Sequence, residues 1–394
     1  MNIFNSLGSN YNLQYIANSI YLQDKNGRKN LKLFLENVFQ KHALLFYKGR
    51  EAITQSIVEM QLPEGSKIAV NGFTCVAVVD AIKNAKCTPV FIDIDPETLH
   101  FTAEKLEQKI KHSHIKAVII QNTLGFPCDI ESIQKICKKE NALLIEDLAH
   151  SVGCVYDNQK PAGSIGEYAI LSFSQDKVID AVSGGALLST HPYKNFKSSN
   201  YKKADASFQD KMYPFFTYVI KRTYKIGIGK VLHAALKHSR MLSNPMKHDT
   251  FKALSDWHAT LALQELQTID ENLSHRRSIS KIYADLLKSD LQFKSLSKKI
   301  NTSTCLRFPI KISRRSEFME YAKAQGLYIS DTWYDTPIAP KKYLEKSGYK
   351  IGECPESEKV SKHILNLPTH IQVTQQDAYT ISELINSWHT KHKS

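Results

Sequence analysis

Between about residues 43 and 190, short apolar runs alternate with longer stretches of helical periodicity, and this rhythm constrains the fold more than any other feature of the chain. Runs of this kind, repeated between amphipathic segments, bury themselves as strands of a mostly parallel sheet with helices on its faces. The candidate strands are 67-KIAV, 89-PVFIDI, 116-KAVIIQ, 142-ALLIED, 169-AILSFS and 185-GALLST, with 103-AEKLEQKIK and 129-DIESIQKICKKEN as amphipathic helices between them. This is an α/β architecture. At 394 residues the chain is too long for one core, so we expect a large domain over 1–250 and a smaller C-terminal domain over 251–394. The segment 253-ALSDWHATLALQELQTIDENLSHRRSISKIYADLL reads as one long amphipathic helix, or two in sequence, leading into the second domain. That domain would hold the strand-like 306-LRFPIKI, a helix around 315-RSEFMEYAKAQG and a closing helix from about Gln376 to His392.

Composition narrows the function classes. Hydrophobic residues make up 42% and charged residues 23%, near the averages for folded domains, and no apolar stretch is long enough to span a bilayer. The N-terminus, MNIFNSLGSNYNLQ, lacks the charged start and apolar run of a secretory signal, so a cytoplasmic protein is expected. Seven dispersed cysteines without a C-x-x-C pair indicate neither a disulfide framework nor a thiolate zinc site, and no metal is expected. The net charge of +13 suggests anionic partners. No zinc-finger spacing, RNA-binding signature or long basic tail accompanies it, so nucleic acid is not expected.

Residues 211 to 248 break the rhythm. Met212, Phe215, Phe216, Val219, Ile220, Tyr224, Ile228, Val231, Leu232, Ala235 and Leu236 recur at helical spacing, with Pro214 near a helix start. Lys221, Arg222, Lys225 and Lys230 fall mostly off that stripe. It suits a helix packed on the core or at a subunit interface. The alternative is a basic amphipathic helix over about 211–240 lying on an anionic membrane surface.

In open α/β sheets, ligands collect at the carboxyl ends of the strands, so the segments just beyond the candidate strands are the first suspects. These are Gly72 to Cys75, Gln121 to Leu124, Asp147 to His150, and Ser172 to Lys177. Neither a G-x-G-x-x-G after a strand nor a P-loop occurs. In 172-SFSQDKVIDAVSGGALLST a strand delivers Lys177 into a turn, and a Gly-Gly pair introduces the next strand. A lysine at a ligand edge becomes nucleophilic towards an aldehyde when desolvation or a neighbouring cation lowers its pKa. A single lysine is more often a solvated surface charge. Its company matters: 142-ALLIEDLAHSVG ends a strand in Glu146 and Asp147, and a carboxylate there can pair with a protonated pyridine nitrogen.

These segments resemble the DegT/DnrJ/StrS family of pyridoxal-phosphate (PLP) dependent sugar aminotransferases. The likeness is carried by S-F-x-x-x-K with Gly184 and Gly185 at the family distance, by 145-IEDLAHSVG, and by 88-TPVFIDIDPETL, 161-PAGSIGEYAILSF, 255-SDWHATLALQELQTID and 365-LNLPTH. It spans nearly the whole chain outside 191–250. The resemblance implies a fold-type I PLP transferase: a large α/β/α domain with a mostly parallel sheet and a smaller α+β domain. It implies Lys177 as the Schiff-base lysine and Asp147 as partner of the pyridine nitrogen. His150 would lie near the cofactor's hydroxyl, Ser172 at its phosphate, Gly49 and Arg50 at a helix-opening phosphate cradle, and Thr74 in the loop before the next helix.

Three positions depart from the family. Cys75 stands where most members carry an aromatic ring. The N-x-R whose Asn reaches across a dimer to the phosphate falls on 251-FKALS, which leaves Asn244 or Lys247 as substitutes. Ser183 replaces the acid preceding the glycine pair. The activity implied is transfer of an amino group, typically from L-glutamate, to a keto sugar on a nucleoside diphosphate, for surface polysaccharide or a related glycan, in a homodimer. Alternatives are a non-enzymatic or catalytically altered member that binds PLP or a sugar nucleotide, and a membrane-associated enzyme acting on a lipid-linked precursor. The sugar-dehydrating relatives lack the lysine, and its presence speaks against them.

Overall fold

The computed structural model describes residues 2–21, 24–202, 205–244, 246, 251–329 and 333–392. Seven strands form the main sheet in the order His42–Phe46, Gly185–Ser189, Tyr168–Ser172, Leu143–Asp147, Ile115–Gln121, Lys67–Asn71, Thr88–Ile92. Gly185–Ser189 runs antiparallel to both neighbours, and every other pairing is parallel. All six strands read from the sequence are present. His42–Phe46 was not among them, because 42-HALLF is a short continuous apolar run next to a helix, and periodicity alone does not separate such a run from more helix.

The runs are apolar throughout because the sheet is buried on both faces. Val118 and Ile120 enter one core while Ala117 and Ile119 enter the other; Leu144 and Ile145 divide the same way, as do Leu171 and Ile170. Alternate side chains of a strand point to opposite faces, so both parities must be apolar here. The helices expected at 103 and 129 form as Ala103–Ser113 and Ile130–Lys139, capped by the side chains of Thr102 and Asp129.

A third core lies in the C-terminal part, around the antiparallel pair Phe308–Lys311 and Ile364–Leu367 and the closing helix Gln375–His392. The segment after 253 forms two helices, Asp256–Gln267 and Ile269–Leu286. Ala259, Leu261, Ala262, Leu266 and Leu273 belong to a core of the main sheet, whereas Ile279 and Tyr283 belong to the C-terminal core. We propose that the domain boundary lies within Ile269–Leu286 and not at residue 250.

The stretch after 207 is a helical hairpin, Phe208–Thr223 and Ile228–His238. Pro214 sits inside the first helix instead of near its start, and the buried face is Asp210, Tyr213, Pro214, Thr217, Ile220 and Lys221. Most of the apolar stripe therefore does not face the core. Lys221, read as off the buried stripe, is buried, with its Nζ donating to Gly8 O at 2.6 Å. Ile228 and Val231 are 59% and 72% exposed. The buried face of the first helix meets the amino-terminal segment through Tyr213 and Lys221, and Tyr47, Ser243 and His258 through Asp210, a face of mixed polarity that hydropathy does not mark. Among the described residues no helix is long and apolar enough to cross a membrane.

Candidate active site

Neighbouring parallel strands place Gln121 and Asp147 opposite each other in register, and Ser172 pairs with Gly185 one strand further on. Their carboxyl ends open into a cavity lined by Lys48, Gly49, Arg50, Cys75, Gln121, Asp147, His150, Ser172, Lys177, Trp333 and Tyr334, among others. Seven of the eight residues named from sequence thus meet in one cavity. Thr74 stands behind it: fully buried, it donates its hydroxyl to Gln121 Oε1 at 2.8 Å.

Glu146 and Asp147 part company because successive residues of a strand face opposite ways. Glu146 Oε1 accepts from the backbone N–H groups of Ile165 and Gly166, and its Oε2 from Gly163 N–H and the Tyr156 hydroxyl, so it organises the 161-PAGSIG loop. Asp147 faces the cavity at 2% exposure. Burial pushes its pKa up, against a hydrogen bond from Ala149 N–H and the nearby Lys177 ammonium. A carboxylate desolvated this way gains from a cationic partner in the cavity.

Burial, reinforced by Lys177 and Arg307, holds His150 well below its ordinary pKa. Its Nδ1 accepts the backbone N–H of Leu124 at 3.2 Å, so in the neutral ring the proton resides on Nε2. The ring stacks on Trp333 with centroids 5.1 Å apart, and Lys177 Nζ lies 4.3 Å from the Trp333 ring centre.

Gly49 and Arg50 open the helix Gly49–Glu59 against Ser172. A Cβ on Gly49 would fall 3.2 Å from Ser172 Oγ, and one on Gly185 would fall 2.6 Å from Gly49 Cα. The two glycines therefore let a helix N-terminus close on the Ser172 hydroxyl, an arrangement suited to an anion. Arg50 is held by Asp80 at 3.9 Å, with Met246 Sδ 3.9 Å from its Nη2. Together these residues fit a group with a phosphate at one end, a protonated ring nitrogen at the other and an aldehyde near Lys177.

In the same helix, burial raises Glu51 from 4.5 to about 7. A raised carboxylate pKa contributes stability that is complete below the unfolded value and is lost as pH climbs through the folded one. Glu51→Gln is therefore expected to stabilise the protein above pH ~7, by at most about 3 kcal/mol, and not at pH ~4. Thermal melts at the two pH values check this; equal shifts at both would contradict it.

Cys75 caps the helix Val76–Asn84, its Sγ accepting from Ala77 N–H at 3.5 Å. Aromatic rings do reach the cavity, but from the C-terminal part. Ile338–Ala339 adds a parallel pairing to Thr74–Cys75, and the Tyr334 hydroxyl accepts from Gln121 Nε2 at 2.8 Å. Beyond the adjacent aromatics before 337-PIAP, nothing in the sequence marks Trp333 and Tyr334. Lys48, which no sequence pattern marks, is buried next to Gly49. Phe251 packs edge-on against Tyr201, away from the cavity. Asn244 Oδ1 accepts from Met246 N–H, and among the described residues of that stretch Met246 lines the cavity. Lys247 lies outside the described residues. Ser183 donates its hydroxyl to Tyr47 O.

The sequence profile of the DegT/DnrJ/EryC1/StrS aminotransferase family matches residues 14–386. The chain belongs to that family. GDP-perosamine synthase of Escherichia coli O157:H7 is 24% identical over 91% of this chain and 88% of its own length. The dTDP-3-amino-3,6-dideoxy-alpha-D-galactopyranose transaminase of Aneurinibacillus thermoaerophilus is 24% identical over 88% and 86%. Among solved structures, a family aminotransferase from Brucella abortus superposes with a TM-score of 0.69 at 22% identity, covering 95% of this chain and 93% of that one. Membership makes the chain a PLP-dependent enzyme of the aminotransferase class, with the α/β fold expected.

Proposed function

We propose that the chain moves an amino group from an amino acid, L-glutamate by expectation, to a keto sugar carried on a nucleoside diphosphate, for surface polysaccharide or a related glycan. One observation carries this reading: Lys177, Asp147, His150, Ser172 and the Gly49–Arg50 helix start converge on one cavity, in a family whose relatives are named for such reactions.

When bound, PLP supplies an electron sink for the electron pair left at the donor's α-carbon. Around it each side chain has a task. Lys177 would hold the cofactor's aldehyde carbon through its amine and would serve as the general base, then acid, for the donor's α-carbon proton. Asp147 would keep the ring nitrogen protonated, and the Nε2–H of His150 would be the donor available to the ring's oxygen substituent. The N–H groups opening Gly49–Glu59, the Ser172 hydroxyl and Arg50 would hold the phosphate. Trp333, over both His150 and Lys177, excludes water from the reacting centre.

Borohydride reduction of the PLP-loaded protein, followed by peptide mapping, tests the assignment, and a glutamate-dependent assay over a panel of nucleotide keto sugars tests the reaction. A pyridoxyl label on Lys177 and turnover of at least one keto sugar are expected. A label elsewhere sinks the assignment.

Two finer proposals accompany this one. A homodimer follows from the family expectation that subunits complete each other's sites. Contact of residues 211–240 with an anionic surface is supported by their composition, since no Asp or Glu occurs between Lys211 and His248. Sedimentation with and without anionic vesicles separates the two.

A further inference from the structure

The turn that carries Lys177 is held in an unfavourable backbone conformation. Asp176 and Val182, on either side of it, have φ of +62° and +67°, in the left-handed region that is costly for residues other than glycine, most of all for a β-branched one. Such strain persists only where the surroundings over-determine it.

The surroundings here are largely the first fifteen residues. The N–H groups of Leu7 and Ser9 donate to the two carboxylate oxygens of Asp176 at 3.2 and 3.1 Å. Tyr11 and Tyr15 donate their hydroxyls to Asp180 Oδ1 and Asp180 O at 2.6 and 2.7 Å. Asp180 in turn accepts the N–H groups of Asp176 and Val182. At the centre, Asn10 Nδ2 donates to the carbonyl of Lys177 itself at 2.8 Å, while Asn10 Oδ1 accepts from Arg276 Nη2 at 2.8 Å. Arg276 is fully buried and is fixed by Asn272, Leu306 O and Thr369. The amino-terminal end of this strap pairs Ile3–Phe4 with Leu327–Tyr328 of the C-terminal part.

We propose that the amino-terminal segment is a strap that sets the position of the Lys177 amine, with Asn10, oriented by Arg276, as the positioning residue. The inference rests on the assignment of Lys177 made above. It makes the distance between that amine and the reacting carbon depend on a side chain that touches neither substrate nor cofactor.

Asn10→Ala removes both hydrogen bonds. Asn10→Asp keeps the acceptor for Arg276 and removes the donor to Lys177 O. Both are expected to lower kcat about 10- to 100-fold, the scale of an ångström's misplacement, with KM for the amino donor nearly unchanged. Amide exchange over residues 174–182 should quicken in the cofactor-free protein, and borohydride should still label Lys177. Unchanged kcat and unchanged exchange in either folded variant overturn the proposal. Should Asn10→Ala fail to fold, Asn10→Asp carries the test on its own. A wild-type protein that labels elsewhere overturns the Lys177 assignment instead, so the two failures are distinguishable.

Discussion

Lys177→Ala is expected to lower amino transfer by about 10²- to 10⁴-fold, the range typical of removing a positioned proton-transfer group, and to abolish the borohydride label. Among the described cavity-lining residues, Lys48 is the only other lysine, and its Nζ lies 4.8 Å from the Tyr47 ring centre. Lys48→Ala should therefore leave the label in place. The cofactor should still bind Lys177→Ala through contacts at its phosphate and ring nitrogen, but be lost on dialysis. A Lys177→Ala protein that retains a reducible covalent adduct would refute the assignment, because the amine would then come from elsewhere.

Asp147→Asn should have the second largest effect, and it has opposite signs with and without cofactor. Removing one partner from a buried charge pair costs about 3–5 kcal/mol, so PLP affinity should fall by roughly 10²- to 10⁴-fold. In the cofactor-free protein the side chain is 2% exposed, and burial raises its pKa against the opposing pull of the Ala149 N–H and the Lys177 ammonium. Its stabilising contribution is then complete below the unfolded carboxylate value and lost as pH rises through the folded one. At neutral pH, Asn at this position should stabilise the cofactor-free protein while weakening the loaded one. Thermal melts with and without PLP read both signs, and destabilisation of the cofactor-free form at neutral pH would contradict the assigned electrostatics.

The cavity tells how far the sequence could be read. Asp147, His150, Ser172 and Lys177 stand at or just beyond strand ends, and strand ends are marked by apolar runs, so local pattern sufficed to find them. Gly49 is legible only through its likeness to a family motif, and the structure gives the steric reason for glycine there: a Cβ would press on the Ser172 side chain at 3.2 Å. Thr74 lies just before the helix Val76–Asn84, but its hydroxyl is spent on Gln121 and does not line the cavity. Trp333 and Tyr334 come from more than 150 residues beyond Lys177, on a segment without periodicity, and nothing local marks their destination. The same holds for Asn10, whose importance lies wholly in its contacts with Lys177 O and Arg276.

Sequence alone determined the alternation of strands and helices, the two-faced burial of the sheet and the residues at its ligand edge, because backbone periodicity and solvent exclusion are read residue by residue. Tertiary structure alone decided which aromatic rings close the cavity, which side of the 208–223 helix is buried and what holds the lysine turn in its left-handed geometry. Those outcomes depend on contacts between segments far apart in the chain, and the energy of such a contact belongs to the pair and leaves no imprint on either local pattern.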